Sequence, residues 1–240
     1  MTVTELQRNL VERVCVGDIP TRSADKFPDR VALVDGDQQL TYAELEARAN
    51  RLGRALLDRG LGRQEVVAIM MRNRWEILVA YFACAKAGLI AAPMNLGLNG
   101  EEIAYCMRDC AARVLIAESE FAGQVAQFAP RLEALERVLW VGEGEQPALS
   151  VRQEAFGEVL ESAGPETLEV IVQDRDSVQL LYTSGTTSMP KGVLTSHLAV
   201  TMDALSAALQ NKYDHHDGVQ IVLPLFHCAA LNSVAMPSLL

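Results

Sequence analysis

The chain has 240 residues, enough to bury one substantial core or to begin a second. Half of it is hydrophobic and 22% is charged, a balance that belongs to folded domains and excludes a disordered chain. A formal net charge of −10 excludes a general nucleic-acid binder, whose footprint would be basic.

In chain order, the run from Val31 to Leu40 reads as a hairpin. Thr41-Tyr-Ala-Glu44 has the form of a capping box, and Tyr42, Leu45, Ala49, Leu52 and Leu56 follow at helical spacing up to a stop at Gly60. Val66–Met71 is apolar and of strand length. Asn73-Arg-Trp-Glu76 repeats the capping signature before a second helix. The longest apolar stretch, Ile77 to Met94, is interrupted by Lys86, Gly88 and Pro93. It therefore predicts a core helix ending near Lys86 and a buried strand Leu89–Pro93, with no transmembrane segment. Asn99-Gly-Glu-Glu102 opens a third helix, and Val114–Ala117 and Val138–Val141 are further strands. Gly142–Ala148 reads as an exposed loop, Ser150-Val-Arg-Gln153 as the opening of another helix, and Val178–Tyr182 as the next strand.

Short apolar strands alternating with helices predict the α/β class: a mostly parallel sheet flanked by helices on both faces. Ligands of such sheets bind outside the carboxyl ends of the strands. Asp174-Arg-Asp176 and Glu166–Glu169 read as solvated surface, and His215-His216, between Asp214 and Asp217, as an exposed loop with local charge pairing. His197 is expected to help begin a helix. Cys15, Cys84, Cys106, Cys110 and Cys228 form an odd set. With no signal peptide over Met1–Pro20, they point to a cytoplasmic protein with free thiols. Cys106 and Cys110 lie one helical turn apart, but no second Cys or His pair completes a metal site.

After Tyr182 comes a run of small and hydroxylated residues: Thr183, Ser184, Gly185, Thr186, Thr187 and Ser188. Gly185 allows close approach of main chain, and each Thr or Ser hydroxyl can donate one hydrogen bond. Pro190 fixes φ before Lys191, a point charge on a flexible stem. Such a turn can direct several donors and one cation at a polyphosphate. It is not a P-loop of the Walker type, because Lys191 precedes Gly192 and no Ser or Thr follows it directly.

Ten of the eleven positions from Tyr182 to Gly192 fit Tyr-Thr-Ser-Gly-Thr-Thr-Gly-x-Pro-Lys-Gly, with Ser188 in place of glycine. The string thereby resembles the phosphate-binding signature of the adenylate-forming superfamily, which includes acyl-CoA synthetases, luciferases and peptide-synthetase adenylation domains. If position 188 needs left-handed backbone, a serine there costs about 1–2 kcal/mol. Leu223-Pro-Leu-Phe-His-Cys-Ala-Ala230 is similar to the same superfamily's Pro-Leu-Phe-His-x-x-Gly motif, with Ala230 in place of glycine. The resemblance extends from about Thr21 to Leu240, and the opening blocks look most like fatty-acyl or aryl-CoA ligases.

The resemblance implies ATP and CoA as co-substrates, Mg²⁺ as the accompanying ion, and a fatty or aryl carboxylic acid as substrate. It implies that Thr183–Thr187, with Ser188 and the catalytic Lys191, hold the β- and γ-phosphates. His227 would line the acyl entrance. It divides the chain into an amino-terminal hairpin and helix that packs on the second subdomain (1–60), a first α/β subdomain with the loop (61–215) and the start of the second (216–240). The small carboxyl-terminal domain is expected to be missing. The apolar run 228–240 reads as awaiting further sheet to cover it, and the isolated chain is expected to be inactive. Two other readings stand beside this one: an amino-acid or aryl-acid adenylating domain that loads a carrier protein, and a truncated, non-catalytic nucleotide- or partner-binding protein. A homodimer is among the assemblies open to it.

Overall fold

The computed structural model describes residues 3–183 and 189–240. The chain opens with α1 (Glu5–Glu12) and α2 (Asp18–Lys26), followed by a hairpin of β1 (Val31–Asp35) and β2 (Gln38–Thr41). Thr41 then caps α3 (Tyr42–Asp58) as predicted: its hydroxyl accepts from the Glu44 N–H, and the Glu44 carboxylate accepts from the Thr41 N–H at 2.8 Å. Gly60, with φ of +88°, lies just beyond the end of this helix.

Next come β3 (Val66–Met70), α4 (Trp75–Ala87) and β4 (Ile90–Pro93). Nearly all of α4 is buried, which is why its sequence is apolar on every side. Its one lysine, Lys86, is buried in a pair with Glu46 at 2.8 Å. The helix stops at Gly88 in left-handed conformation, φ +70°. Then follow α5 (Gly100–Asp109), capped by Asn99, β5 (Val114–Glu118), α6 (Ala122–Phe128), β6 (Arg137–Val141), β7 (Arg152–Ala155) and α7 (Phe156–Glu161). The last elements are β8 (Ser177–Thr183), β9 (Lys191–Ser196), α8 (His197–Asn211) and a helical run over 228–239 with a π turn at Leu231–Ala235.

Seven strands form one sheet in the order β7-β6-β5-β3-β4-β8-β9, parallel except for the antiparallel β8–β9 pair. Alternate residues feed two cores. Val67, Ile69, Val114, Ile116 and Leu139 join the core built on α3, α4, α7 and α8. Val66, Ala68, Met70, Leu115 and Trp140 join the one built on α5 and α6. The predicted α/β sheet covered on both faces is thus present. Among the described residues no helix is long and apolar enough to cross a membrane. All five cysteines are free, and burial pushes the Cys84 and Cys106 thiols up to about 12.

Five expectations need correction. The helix expected to open at Ser150 begins only at Phe156, because Arg152–Ala155 pairs with β6 as an edge strand. Tertiary pairing has overridden the local signal there. Lys191, read as part of the loop, instead opens a strand, Lys191–Ser196. Asp176 is not simply solvated: it pairs with Arg63 at 2.5 Å and accepts from the Gln173 N–H. The run 228–239 does not lack cover, since Leu231, Met236 and Leu239 are buried in the core and the run packs against α8 and α2. Asn73 does not cap α4; the Trp75 N–H is taken instead by Asp35 Oδ2 at 3.1 Å, from the distant hairpin.

Candidate phosphate site on the hairpin of β8 and β9

β8 runs parallel to β4, so Thr183 emerges at the same sheet end as the carboxyl termini of β3, β4 and β5. Ser184, Gly185, Thr186, Thr187 and Ser188 lie outside the described residues. Of the predicted loop, the structure places Thr183, Pro190, Lys191 and Gly192. Thr183 and Lys191 are register partners on opposite strands, and both are exposed. The Thr183 hydroxyl donates to the Lys191 carbonyl at 3.4 Å. One hydroxyl and one cation are therefore presented side by side, and among the described residues Lys191 has no ion-pair partner.

Tyr182 fixes the strand that leads into this point. Its ring is buried, and its hydroxyl lies 2.8 Å from Asp109 Oδ2 and 2.9 Å from the Cys106 carbonyl. Burial, with the anionic neighbours, pushes that hydroxyl above the usual phenol range, so it remains a donor to the end of α5. Gly192 is needed opposite: a Cβ there would come within 2.9 Å of Leu180 Cδ1 and 3.2 Å of the Tyr182 ring. At the far end of β9, His197 is the first residue of α8, as expected. Its ring is fully buried, and Nδ1 accepts from the Val16 N–H at 3.2 Å. Burial lowers its pKa to about 4, so the ring is neutral.

The reversal in strand order falls between β3 and β5, where open sheets commonly take a ligand. Ion pairs occupy the turns there: Arg74 with Glu118 at 2.9 Å and Arg72 with Glu120 at 2.6 Å. That leaves the end of β8 as the less encumbered place. A cavity of about 910 Å³ lies elsewhere, among Phe27, Asp35, Trp75, Tyr213, Ile221 and Leu225, and of the described site residues neither Thr183, Lys191 nor His227 lines it.

His227 sits on a different segment. It is exposed and extended (φ −98°, ψ 140°) at the head of the helical run 228–239, with its ring 4.9 Å from that of Phe226. Among the described residues no hydrogen bond joins it to Thr183 or Lys191. The side chain that orders its segment is Asn73, which bonds to Leu223 and Leu225. Sequence reading missed this, since nothing local separates a capping asparagine from one that reaches 150 residues along the chain.

A family described as AMP-binding enzyme matches residues 20–240. A medium/long-chain-fatty-acid–CoA/3-oxocholest-4-en-26-oate–CoA ligase of Mycobacterium marinum is 34% identical over 188 residues, 76% of this chain and 34% of the relative. A feruloyl-CoA synthase of Amycolatopsis sp. is 32% identical over 225 residues, covering 94% of this chain and 42% of the relative. Among solved structures, the anthranilate CoA ligase AuaEII in complex with anthranoyl-AMP superposes with a TM-score of 0.81 at 26% identity. It covers 94% of this chain and 43% of that one. The chain spans about a third of the length of the first curated relatives it matches.

Proposed function

The chain belongs to the AMP-binding enzyme family, and from that premise we propose that it forms the phosphate-binding part of an ATP-dependent acyl-CoA synthetase for a fatty or aryl acid. In the first step a carboxylate oxygen attacks the α-phosphorus of ATP. The bond to the bridging oxygen breaks, pyrophosphate leaves, and an acyl-adenylate forms. In the second, the thiol of CoA loses its proton and attacks the acyl carbon, expelling AMP and leaving a thioester.

Thr183, Ser184, Gly185, Thr186, Thr187 and Ser188 hold the β- and γ-phosphates through hydroxyl and main-chain donors. Lys191 neutralises the charge that grows on departing pyrophosphate. This is electrostatic stabilisation, with no proton moved. His227 lines the acyl entrance. Among the described residues no group of three or more His, Cys, Asp or Glu is placed to hold a metal, so no step is assigned to Mg²⁺. Free thiols throughout suit a cytoplasmic setting.

The observation that carries the reading is the pairing of exposed Thr183 and Lys191 at the carboxyl end of β8. The relatives' names, a fatty-acid–CoA ligase and a feruloyl-CoA synthase, favour CoA over a carrier protein as acceptor. ATP–pyrophosphate exchange, screened over fatty and aryl acids with full-length protein, tests it. Exchange that depends on one of these acids supports the proposal, and absence of exchange with all of them rejects it. The 240-residue chain alone is expected to show none, because it spans so little of its relatives' length.

A further inference from the structure

Asn73 lies in the turn after β3, two residues before α4, and its carboxamide is committed to one distant stretch of main chain. Nδ2 donates to the Leu223 carbonyl at 2.9 Å, while Oδ1 accepts from the Leu225 N–H at 2.8 Å. A planar amide that donates and accepts at once mimics the edge of a neighbouring strand. It sets both the distance and the rotation of the segment it holds, which a single bond cannot do.

The residues that follow inherit this geometry. Leu225 is buried, and the His227 N–H donates to the Pro224 carbonyl at 3.0 Å. Downstream, the Leu231 N–H donates to the His227 carbonyl at 3.0 Å, and Ala230 and Leu231 are buried. Phe226 and His227 are therefore held between two anchors, with the imidazole left exposed. The upstream anchor is the Asn73 amide, at the carboxyl end of a central strand.

We infer that Asn73 is a positioning residue: it fixes the Phe226–His227 segment for an acyl ligand through the main chain, without touching that ligand. The inference rests on the reading of His227 as part of the acyl entrance. It ties the orientation of that entrance to β3 through one side chain. Asn73→Asp keeps the acceptor but loses the donor, and it sets a carboxylate against the Leu223 carbonyl. It therefore behaves like Asn73→Ala.

Cys228 supplies the reporter, because it adjoins His227 and is the exposed cysteine of the five. A nitroxide is attached to Cys228 in the 240-residue chain carrying Cys110→Ser, and its line shape is compared across variants. Asn73→Ala and Asn73→Asp are each expected to shorten the label's correlation time about threefold and to cut hydrogen-exchange protection of the Leu225 amide about tenfold. Asn99→Ala, which removes the α5 cap, serves as a control for general loss of stability and leaves both unchanged. An unchanged line shape in Asn73→Ala, or an equal change in Asn99→Ala, overturns the inference. In full-length protein Asn73→Ala is expected to raise KM for the acid about tenfold and KM for ATP less than about twofold. An equal rise in both also overturns it. The label reads the amide clamp without any ligand, so failure of the acyl reading appears separately, as absence of acid-dependent exchange in the parent.

Discussion

The two sides of the seven-stranded sheet are held by different kinds of bond. From β7 across to β4, each pair of neighbours shares four or five register pairs. β8 meets β4 at one, Ala91 with Gln179, although β8 and β9 pair along their length. Side chains replace the missing ladder. The Gln64 carboxamide donates to the Ser177 carbonyl and accepts from its N–H, both at 2.9 Å. The Tyr81 hydroxyl donates to Gln179 Oε1 at 2.7 Å, Tyr182 reaches α5, and His197 takes the Val16 N–H. A main-chain ladder survives most substitutions, whereas these attachments can each be removed by one. The unit that carries Thr183 and Lys191 is thus the more easily detuned part of the sheet.

The largest expected effect lies on the laddered side. Leu139 on β6 is completely buried, and Leu139→Ala should lower the unfolding free energy by about 2–5 kcal/mol in urea titrations. Hydrogen exchange should then rise throughout the sheet; a rise confined to β8 and β9 would show that β6 does not share one ladder with its neighbours.

On the other side, His197 makes stability depend on pH. Burial keeps its imidazole neutral in the folded chain, with a pKa of about 4 against an ordinary 6.5. Between these values the unfolded chain binds a proton that the folded chain does not. The stabilisation is complete above about pH 6.5 and is lost as pH falls toward 4, by as much as about 3 kcal/mol. Unfolding curves from pH 7 to 4 should show this limb, and His197→Asn should flatten it.

A smaller effect isolates one attachment. Gln64 has φ of +65°, a conformation that asparagine tolerates, so Gln64→Asn shortens the side chain without adding strain. It should cost about 1–2 kcal/mol, with faster exchange in β8 and β9 and no change in β5 and β6. The smallest effect is a local one: Asn99→Ala should cost about 1 kcal/mol by thermal unfolding and leave the β8–β9 unit as it was.

Much of the laddered side was legible because its signals are local. Val66–Met71, Val114–Ala117 and Val138–Val141 are apolar runs with nowhere to go but a buried sheet, and Thr41 and Asn99 find their capping partners three residues away. β7 and β9 were missed because Arg152–Ala155 and Lys191–Ser196 are mixed runs that become strands only through the partner beside them. Asn73 and Asn99 carry the same Asn-x-x-Glu signature, yet one caps a helix and the other clamps Leu223 and Leu225. A contact 150 residues away decides between them. For the site, the motif brought Thr183 and Lys191 to notice, and their placement across a strand pair came from the fold. His227 was legible as a residue, but what holds its segment was not.

Calorimetric titration of ATP into the chain and into Lys191→Ala tests whether the β8–β9 hairpin grips the phosphates of ATP. Lys191→Ala is expected to weaken ATP binding at least about tenfold, or about 1.4 kcal/mol, whereas Lys26→Ala, at the exposed end of α2, binds as the parent does. Equal affinity of the parent and Lys191→Ala for ATP would contradict that grip.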